Sequence, residues 1–214
     1  MKRIVIFLWG LSLAGAFSFS PLLAEPHLKL GPGEAEVLYH FENPASGGYA
    51  SPEGIAFDHN GNLFVSLRTL DGSGAFANRI IKITSWGEMS VLADLGSAYG
   101  LLGAVGLTTD PRGNVYVAFN SGNKANHGVW KIYPDGEMEH LAGSEDILIP
   151  NALTFDRKGN LYATDYDQFR MGTTGVWRYA KKDRVFKPWA SHPLLLSGGT
   201  DPDGNPMGGA NGIV

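Results

Sequence analysis

Three residues with oxygen-bearing side chains share one repeated position in this chain: Glu53, Asn151 and Asn211, each directly before the Gly or Ala that opens a short apolar run. The remaining residue at that position is Val105. One carboxylate and two amide carbonyls suit a hard divalent cation such as calcium, which takes about six to eight oxygen ligands and keeps room for water or substrate. A carboxylate in a partly desolvated site also needs a cation or open water, because burying it unpaired is costly. The plainer reading of the same residues is turn chemistry. Asn after Pro150 and Asn before Gly212 are ordinary loop-shaping residues, and Glu53 alone is satisfied by solvent.

The position recurs because the sequence does. PEGIAFDHNGNLFVSL at 52–67, AVGLTTDPRGNVYVAF at 104–119 and PNALTFDRKGNLYATD at 150–165 are three copies of one sentence, and ANGIV at 210–214 begins a fourth. Each copy reads as an apolar strand, an Asp-x-x-Gly-Asn hairpin turn and a second strand rich in β-branched and aromatic residues. Asp58, Asp110 and Asp156 lie 52 and 46 residues apart, a period that fits a four-stranded propeller blade and exceeds that of leucine-rich or β-helix repeats. A further strand, turn and strand follow in each copy at Asn78–Asp94, Gly128–Ala142 and Gly175–Ala190, with Ile83, Tyr133 and Tyr179 aligned. No segment beyond the N-terminal apolar run has the 3.6 period of a long amphipathic helix. The predicted class is therefore all-β, a β-propeller with blade 1 at about 52–95, blade 2 at about 104–143, blade 3 at about 150–190 and blade 4 beginning at 210.

A stretch at Ala35–Glu42 reads as an outer strand of the kind that, in closed rings, completes a blade begun at the other terminus. A ring takes roughly four to eight blades, so the sequence predicts that further blades follow Val214 and that this chain is a fragment. A half-ring that pairs with a second copy is the alternative.

The asparagine-containing turns look faintly like calcium loops at Asp58–Asn62, Asp110–Asn114, Asp156–Asn160 and Asp201–Asn205, yet the distal Glu of such a loop is absent. They are assigned to hairpin structure. The six histidines form no metal-spaced cluster, and neither a Ser-His-Asp arrangement nor a nucleotide-binding glycine loop is present.

Charge and targeting narrow the function classes. The formal net charge is −4, or −6 without Lys2 and Arg3, and no basic cluster occurs. Nucleic acid and anionic membrane surfaces are therefore poor partners. Lys2 and Arg3 precede an apolar run at Ile4–Phe19, Pro21 breaks it, and Ala24 stands before Glu25. This order reads as a signal peptide at 1–24, so a periplasmic or secreted protein without stable membrane association is expected. The alternative, an uncleaved anchor, has about 16 apolar residues against the roughly 20 that a spanning helix needs. With no cysteine in the chain, disulfide stapling is excluded.

The residues at the repeated position carry a family resemblance. Pro52-Glu53-Gly54, Pro150-Asn151-Ala152 and Ala210-Asn211-Gly212-Ile213-Val214 resemble the openings of the first, third and fourth blades of the gluconolactonase family. That family includes the senescence-marker lactonases and is related to diisopropylfluorophosphatases, strictosidine-synthase-like proteins and NHL-type propellers. The resemblance covers about 35–214 and implies a six-bladed propeller with one divalent cation at the mouth of its tunnel. By position it implies Glu53, Asn151 and Asn211 as ligands, with Val105 on a blade that contributes none. It also implies a later Asp, ligand and general base, which would lie beyond Val214. Ile149 stands where senescence-marker lactonases place a substrate-contacting Arg, a departure from their sugar-acid lactone pattern.

Topology places the loops after Leu67, Phe119 and Thr164 on the cation's side of the blades. These are Arg68–Asn78, Asn120–His127 and Asp165–Thr174, joined by the linker Ser191–Gly209. Asp165, Asp167 and Arg170 are the expected polar contacts to a small-molecule substrate, the alternative for each being a solvated loop residue. The expectation is a secreted calcium-dependent hydrolase of the lactonase or esterase type. A non-enzymatic propeller that binds a ligand or protein, or a streptogramin-lyase-like propeller, is the competing reading.

Overall fold

A computed structural model describes residues 37–41, 50–70, 75–99, 103–166, 175–192, 195 and 210–213. Asp167, Arg170, the Asp201–Asn205 turn and the whole 1–24 segment lie outside the described residues. Twelve strands form three antiparallel sheets, each a meander of four sequential strands. The first sheet contains β1 (Ala50–Phe57), β2 (Leu63–Leu70), β3 (Ala75–Ile83) and β4 (Met89–Tyr99). The second contains β5 (Gly103–Thr109), β6 (Val115–Asn120), β7 (Gly128–Ile132) and β8 (Met138–His140). The third contains β9 (Pro150–Phe155), β10 (Leu161–Asp165), β11 (Gly175–Tyr179) and β12 (Phe186–Ala190). These are propeller blades, and the class is all-β, as the repeat predicts.

Apolar residues on both faces of the second strands explain the stacking. Val65, Val115, Val117, Ala118, Phe119, Leu161 and Ala163 are all essentially inaccessible to solvent. One core joins blades 1 and 2 through Phe64, Ile80, Leu107, Val115, Val117 and Phe119. A second joins blades 2 and 3 through Tyr116, Val129, Ile147, Leu153, Leu161 and Phe186. No blade could bury both faces alone, and each neighbour covers one of them.

The Asp-x-x-Gly-Asn turns are structural, as assigned. In each, the amides two and four residues on donate to the aspartate Oδ1, at 2.8–3.0 Å. The asparagine Nδ2 donates to Oδ2 at 2.7–2.8 Å. Tyr116 and Tyr162 add hydroxyl bonds to Asp110 and Asp156, both at 3.1 Å. The aspartate carboxylates are thus engaged within their own turns, while Asn62 and Asn160 Oδ1 accept from the Ser85 and Lys181 amides of the neighbouring turn.

Three expectations need correction. The registers Leu63↔Ile83, Val115↔Ile132 and Leu161↔Tyr179 show that Ile132, not Tyr133, is the counterpart of Ile83 and Tyr179. The expected loop Arg68–Asn78 is largely a paired hairpin arm, with Arg68↔Asn78, Thr69↔Ala77 and Leu70↔Phe76 in register. Its inward face is held by Phe76 and by Asn78, which donates to the Phe76 and Gly96 carbonyls and accepts from the Ala104 amide. Finally, the described part of the expected N-terminal strand, 37–41, is not among the twelve strands. It packs against blade 1 instead, with Phe41 in that blade's outer core and the Tyr39 hydroxyl donating to the Gly87 carbonyl at 3.2 Å.

Candidate functional site

The repeated position coincides with a β-bulge in every blade. Pro52 pairs with Leu67 and Gly54 with Ser66, which leaves Glu53 as the extra residue. In blade 2 the pairs Ala104↔Phe119 and Leu107↔Val117 enclose Val105 and Gly106 against Ala118 alone. In blade 3, Pro150↔Asp165 and Leu153↔Ala163 enclose Asn151 and Ala152 against Thr164. A bulge re-aims one side chain and interrupts the ladder, a feature common beside functional sites. Here it does so three times at one place.

The same position is where one blade meets the next. A Cβ on Gly54 would lie 2.5 Å from the Val105 carbonyl oxygen, and one on Gly106 would collide with the Asn151 carbonyl. Only glycine lets the inner strands approach this closely. The hydroxyl of Ser66 accepts from the Gly54 amide at 2.8 Å and donates to the Val105 carbonyl at 2.6 Å. Thr164 repeats the device, accepting from Ala152 at 3.0 Å and donating to the Asn211 carbonyl at 2.7 Å. Backbone contact therefore places Glu53, Val105, Asn151 and Asn211 in succession along the inner edge, one blade after another. Asn211 is exposed and Asn151 half-buried, and neither side chain has a hydrogen bond among the described residues.

Glu53 is different, because it is already engaged. Its Oε1 accepts from the Ser51 hydroxyl at 2.7 Å and from the Arg68 guanidinium. The need for a cation that the sequence assigns to Glu53 is met here by Arg68, a residue that sequence reasoning placed in a loop. The signal was available in the register: Ser51 pairs with Arg68, so both point to the side of β1 that carries Glu53.

Asp165 also needs correction. It was expected to be a polar contact in the pocket wall, but it is fully buried. Its carboxylate accepts from the Leu148 amide at 3.2 Å, the Ile149 amide at 2.9 Å and the Trp177 indole at 3.3 Å. It stands where the other two blades have Leu67 and Phe119, and it fixes the linker that leads into Asn151. Three more bonds hold that linker. Tyr166 donates its amide to the Ile149 carbonyl at 2.9 Å, and Asn120 donates from Nδ2 to the Pro150 carbonyl at 3.0 Å. His127 accepts at Nδ1 from the Ser121 amide and therefore donates from Nε2 to the Ile147 carbonyl at 2.7 Å. Asn120, His127 and Asp165 position Asn151 without touching it. Their roles are not visible in sequence, since the bonds that hold the linker run to its backbone atoms.

The donor set of Glu53, Asn151 and Asn211 fits a hard cation in chemistry, with Glu53 and Asn151 at bulges and the Asn211 backbone held by Thr164. No cluster of three His, Cys, Asp or Glu side chains able to hold a metal occurs among the described residues, so any cation here would depend on amide oxygens. On the opposite, turn-bearing face, a cleft of about 810 Å³ opens between blades 2 and 3 and is lined by Asp110, Tyr116, Glu139, Asp156, Lys181 and Arg184 among others. Burial first, then the neighbouring Asp110 charge, holds the Tyr116 hydroxyl well above the usual phenol range, so it stays a donor.

No family model matches the chain, and no curated protein matches it. Solved structures do. A gluconolactonase from Xanthomonas campestris, important in glucose secondary metabolic pathways, is 17% identical over 67% of this chain and 51% of its own, with a TM-score of 0.46. The chain is similar to gluconolactonase-like β-propellers. A streptogramin B lyase is 16% identical over 78% of this chain and 63% of that one, at a TM-score of 0.39. A catalytically inactive virginiamycin B lyase from Staphylococcus aureus with quinupristin is 16% identical over 70% and 58%, at 0.40. This chain spans less than two thirds of the length of each.

Proposed function

We propose that this chain is part of a secreted, metal-dependent hydrolase of the lactonase or esterase type, acting on a small molecule at the bulged edge of its blades. The observation that supports the reading is the triple bulge, with an oxygen-bearing side chain at this position on blades 1 and 3 and, next to the Thr164 contact, on Asn211. Glu53, Asn151 and Asn211 would hold a divalent cation, with calcium the best match to an all-oxygen set. When bound, such an ion supplies Lewis-acid polarisation of a carbonyl and stabilises the negative charge that develops on its oxygen. The chain's own share is positioning. Asp165, Asn120 and His127 fix the entry to Asn151, while Ser66 and Thr164 lock adjacent blades at ligand level.

Calorimetry on chelator-stripped intact protein tests the metal. One divalent ion per molecule is expected, with Glu53→Gln weakening binding more than Asn151→Ala because it removes the charged member of the Glu53, Asn151 and Asn211 set. Hydrolysis across a panel of lactones and aryl esters is expected to disappear with chelator and return with calcium. Equal calcium binding by wild type and a Glu53/Asn151/Asn211 triple variant overturns the ring. One observation favours the second reading, a non-enzymatic ligand-binding propeller: Glu53 already has a guanidinium partner that balances its charge without metal. Folded, metal-loaded protein with no turnover on that panel supports it.

A further inference from the structure

Arg68 is built into the bulged edge. Its side chain is only 11% exposed, although it lies near the end of β2. The guanidinium lies over the Phe76 ring, 5.2 Å from its centroid. Its aliphatic stem runs past Gly103, where a Cβ would stand 2.6 Å from Arg68 Cδ and 2.5 Å from Asn78 Oδ1. Asn78, fully buried, is in turn tied to β3, β4 and β5 through the Phe76 carbonyl, the Gly96 carbonyl and the Ala104 amide. Three elements therefore combine to aim one cation at Glu53, and Ser51 places a hydroxyl on the same carboxylate oxygen.

We propose that Arg68 and the divalent cation are alternative partners of Glu53, so that Arg68 sets how tightly this protein binds metal. The inference rests on the metal reading above. The reason is charge. An enclosed guanidinium and a doubly charged ion within a few ångströms of one another repel strongly, and one carboxylate cannot offset both in a partly desolvated site. Without metal, the Arg68 pair keeps Glu53 satisfied and the edge folded. With metal, Arg68 must swing from the carboxylate, and the work of that displacement is taken from the ion's affinity.

The test uses intact protein and calcium alone. Calorimetry on chelator-stripped wild type, Arg68→Gln and a charge control, Arg79→Gln, whose partner Asp94 lies on the outer strand β4, compares affinities. Arg68→Gln is expected to bind calcium roughly fivefold tighter or more, with Arg79→Gln unchanged. A thermal double-mutant cycle of Glu53→Gln and Arg68→Gln is a second readout. It should show favourable coupling in chelator that shrinks or reverses in saturating calcium. Equal calcium affinity of Arg68→Gln and wild type, or coupling that is the same in both conditions, overturns the proposal. It leaves the metal reading standing, with the ion on Oε2 beside a retained Arg68. Calcium binding to neither protein overturns both.

Discussion

At the residue scale, carboxylates that look alike in sequence do three different jobs, and their surroundings decide which. Asp165 is sealed in the core and holds a linker, Glu53 is paired with Arg68 at a bulge, and Asp156 organises a hairpin turn. The Asp156 case has a measurable consequence. The Asn160 side-chain amide, outweighing the opposing effect of desolvation with help from backbone amides and Tyr162, draws its pKa down to about 2. A folded pKa below the unfolded value of about 3.9 means that the turn stabilises the protein above that value and loses its contribution as pH falls toward the folded one. Wild type is therefore expected to exceed Asp156→Asn in chemical stability at neutral pH. The gap should narrow between about pH 4 and pH 2, followed by denaturant midpoints across that window. A gap that stays constant over the window would show that the ionised form matters little.

At the element scale, the legible features are those that repeat. The three strand-turn-strand sentences carry their own turn chemistry, so the hairpins β1–β2, β5–β6 and β9–β10 and the all-β class could be read directly. The shared position of Glu53, Val105 and Asn151 could also be read, because repetition marks equivalence even before any bulge is seen. What escaped the sequence was pairing that crosses from one element to another. Thr69 and Leu70 look like loop residues until Ala77 and Phe76 are set opposite them, and Asp165 looks solvent-facing until the amides of Leu148 and Ile149 fold onto it. The hydroxyl bridges belong to the same class. Ser66 and Thr164 each link a bulge amide to the next blade's carbonyl, whereas blade 2 has Ala118 at that place. Thr164→Val keeps the shape and removes the bridge, leaving the Ala152 amide and the Asn211 carbonyl short of a partner. A loss of about 1–3 kcal/mol in urea or guanidinium unfolding is expected. A cost near zero would mean that water replaces the hydroxyl at both atoms.

At the scale of the molecule, each blade's inner strand finishes on the blade before it. Phe155, at the end of β9, packs edge-on against Tyr116 of blade 2 with ring centroids 5.0 Å apart. Thr109, at the end of β5, donates its hydroxyl to the Phe57 carbonyl of blade 1 at 2.8 Å. Phe57 is the equivalent residue of blade 1, and it is 56% exposed, with Ile55 beside it at 42%. Among the described residues these side chains have no neighbour like the one that Tyr116 gives Phe155; a blade with an aromatic residue at the Tyr116 position would cover them. A large apolar side chain gains about 1.5–3 kcal/mol on full burial, and two adjacent ones on an inner strand make a strong seam. If a further blade closes on β1, Phe57→Ser should be destabilising by more than about 1 kcal/mol, as judged by thermal or denaturant unfolding. Trp86, 86% exposed at the β3–β4 turn, serves as the comparison. Because it lies on an outer turn that no blade stacks upon, Trp86→Ser is expected to change stability by less than about 0.5 kcal/mol. Equal, small effects at both positions would show that the β1 face stays open and that the ring does not close there.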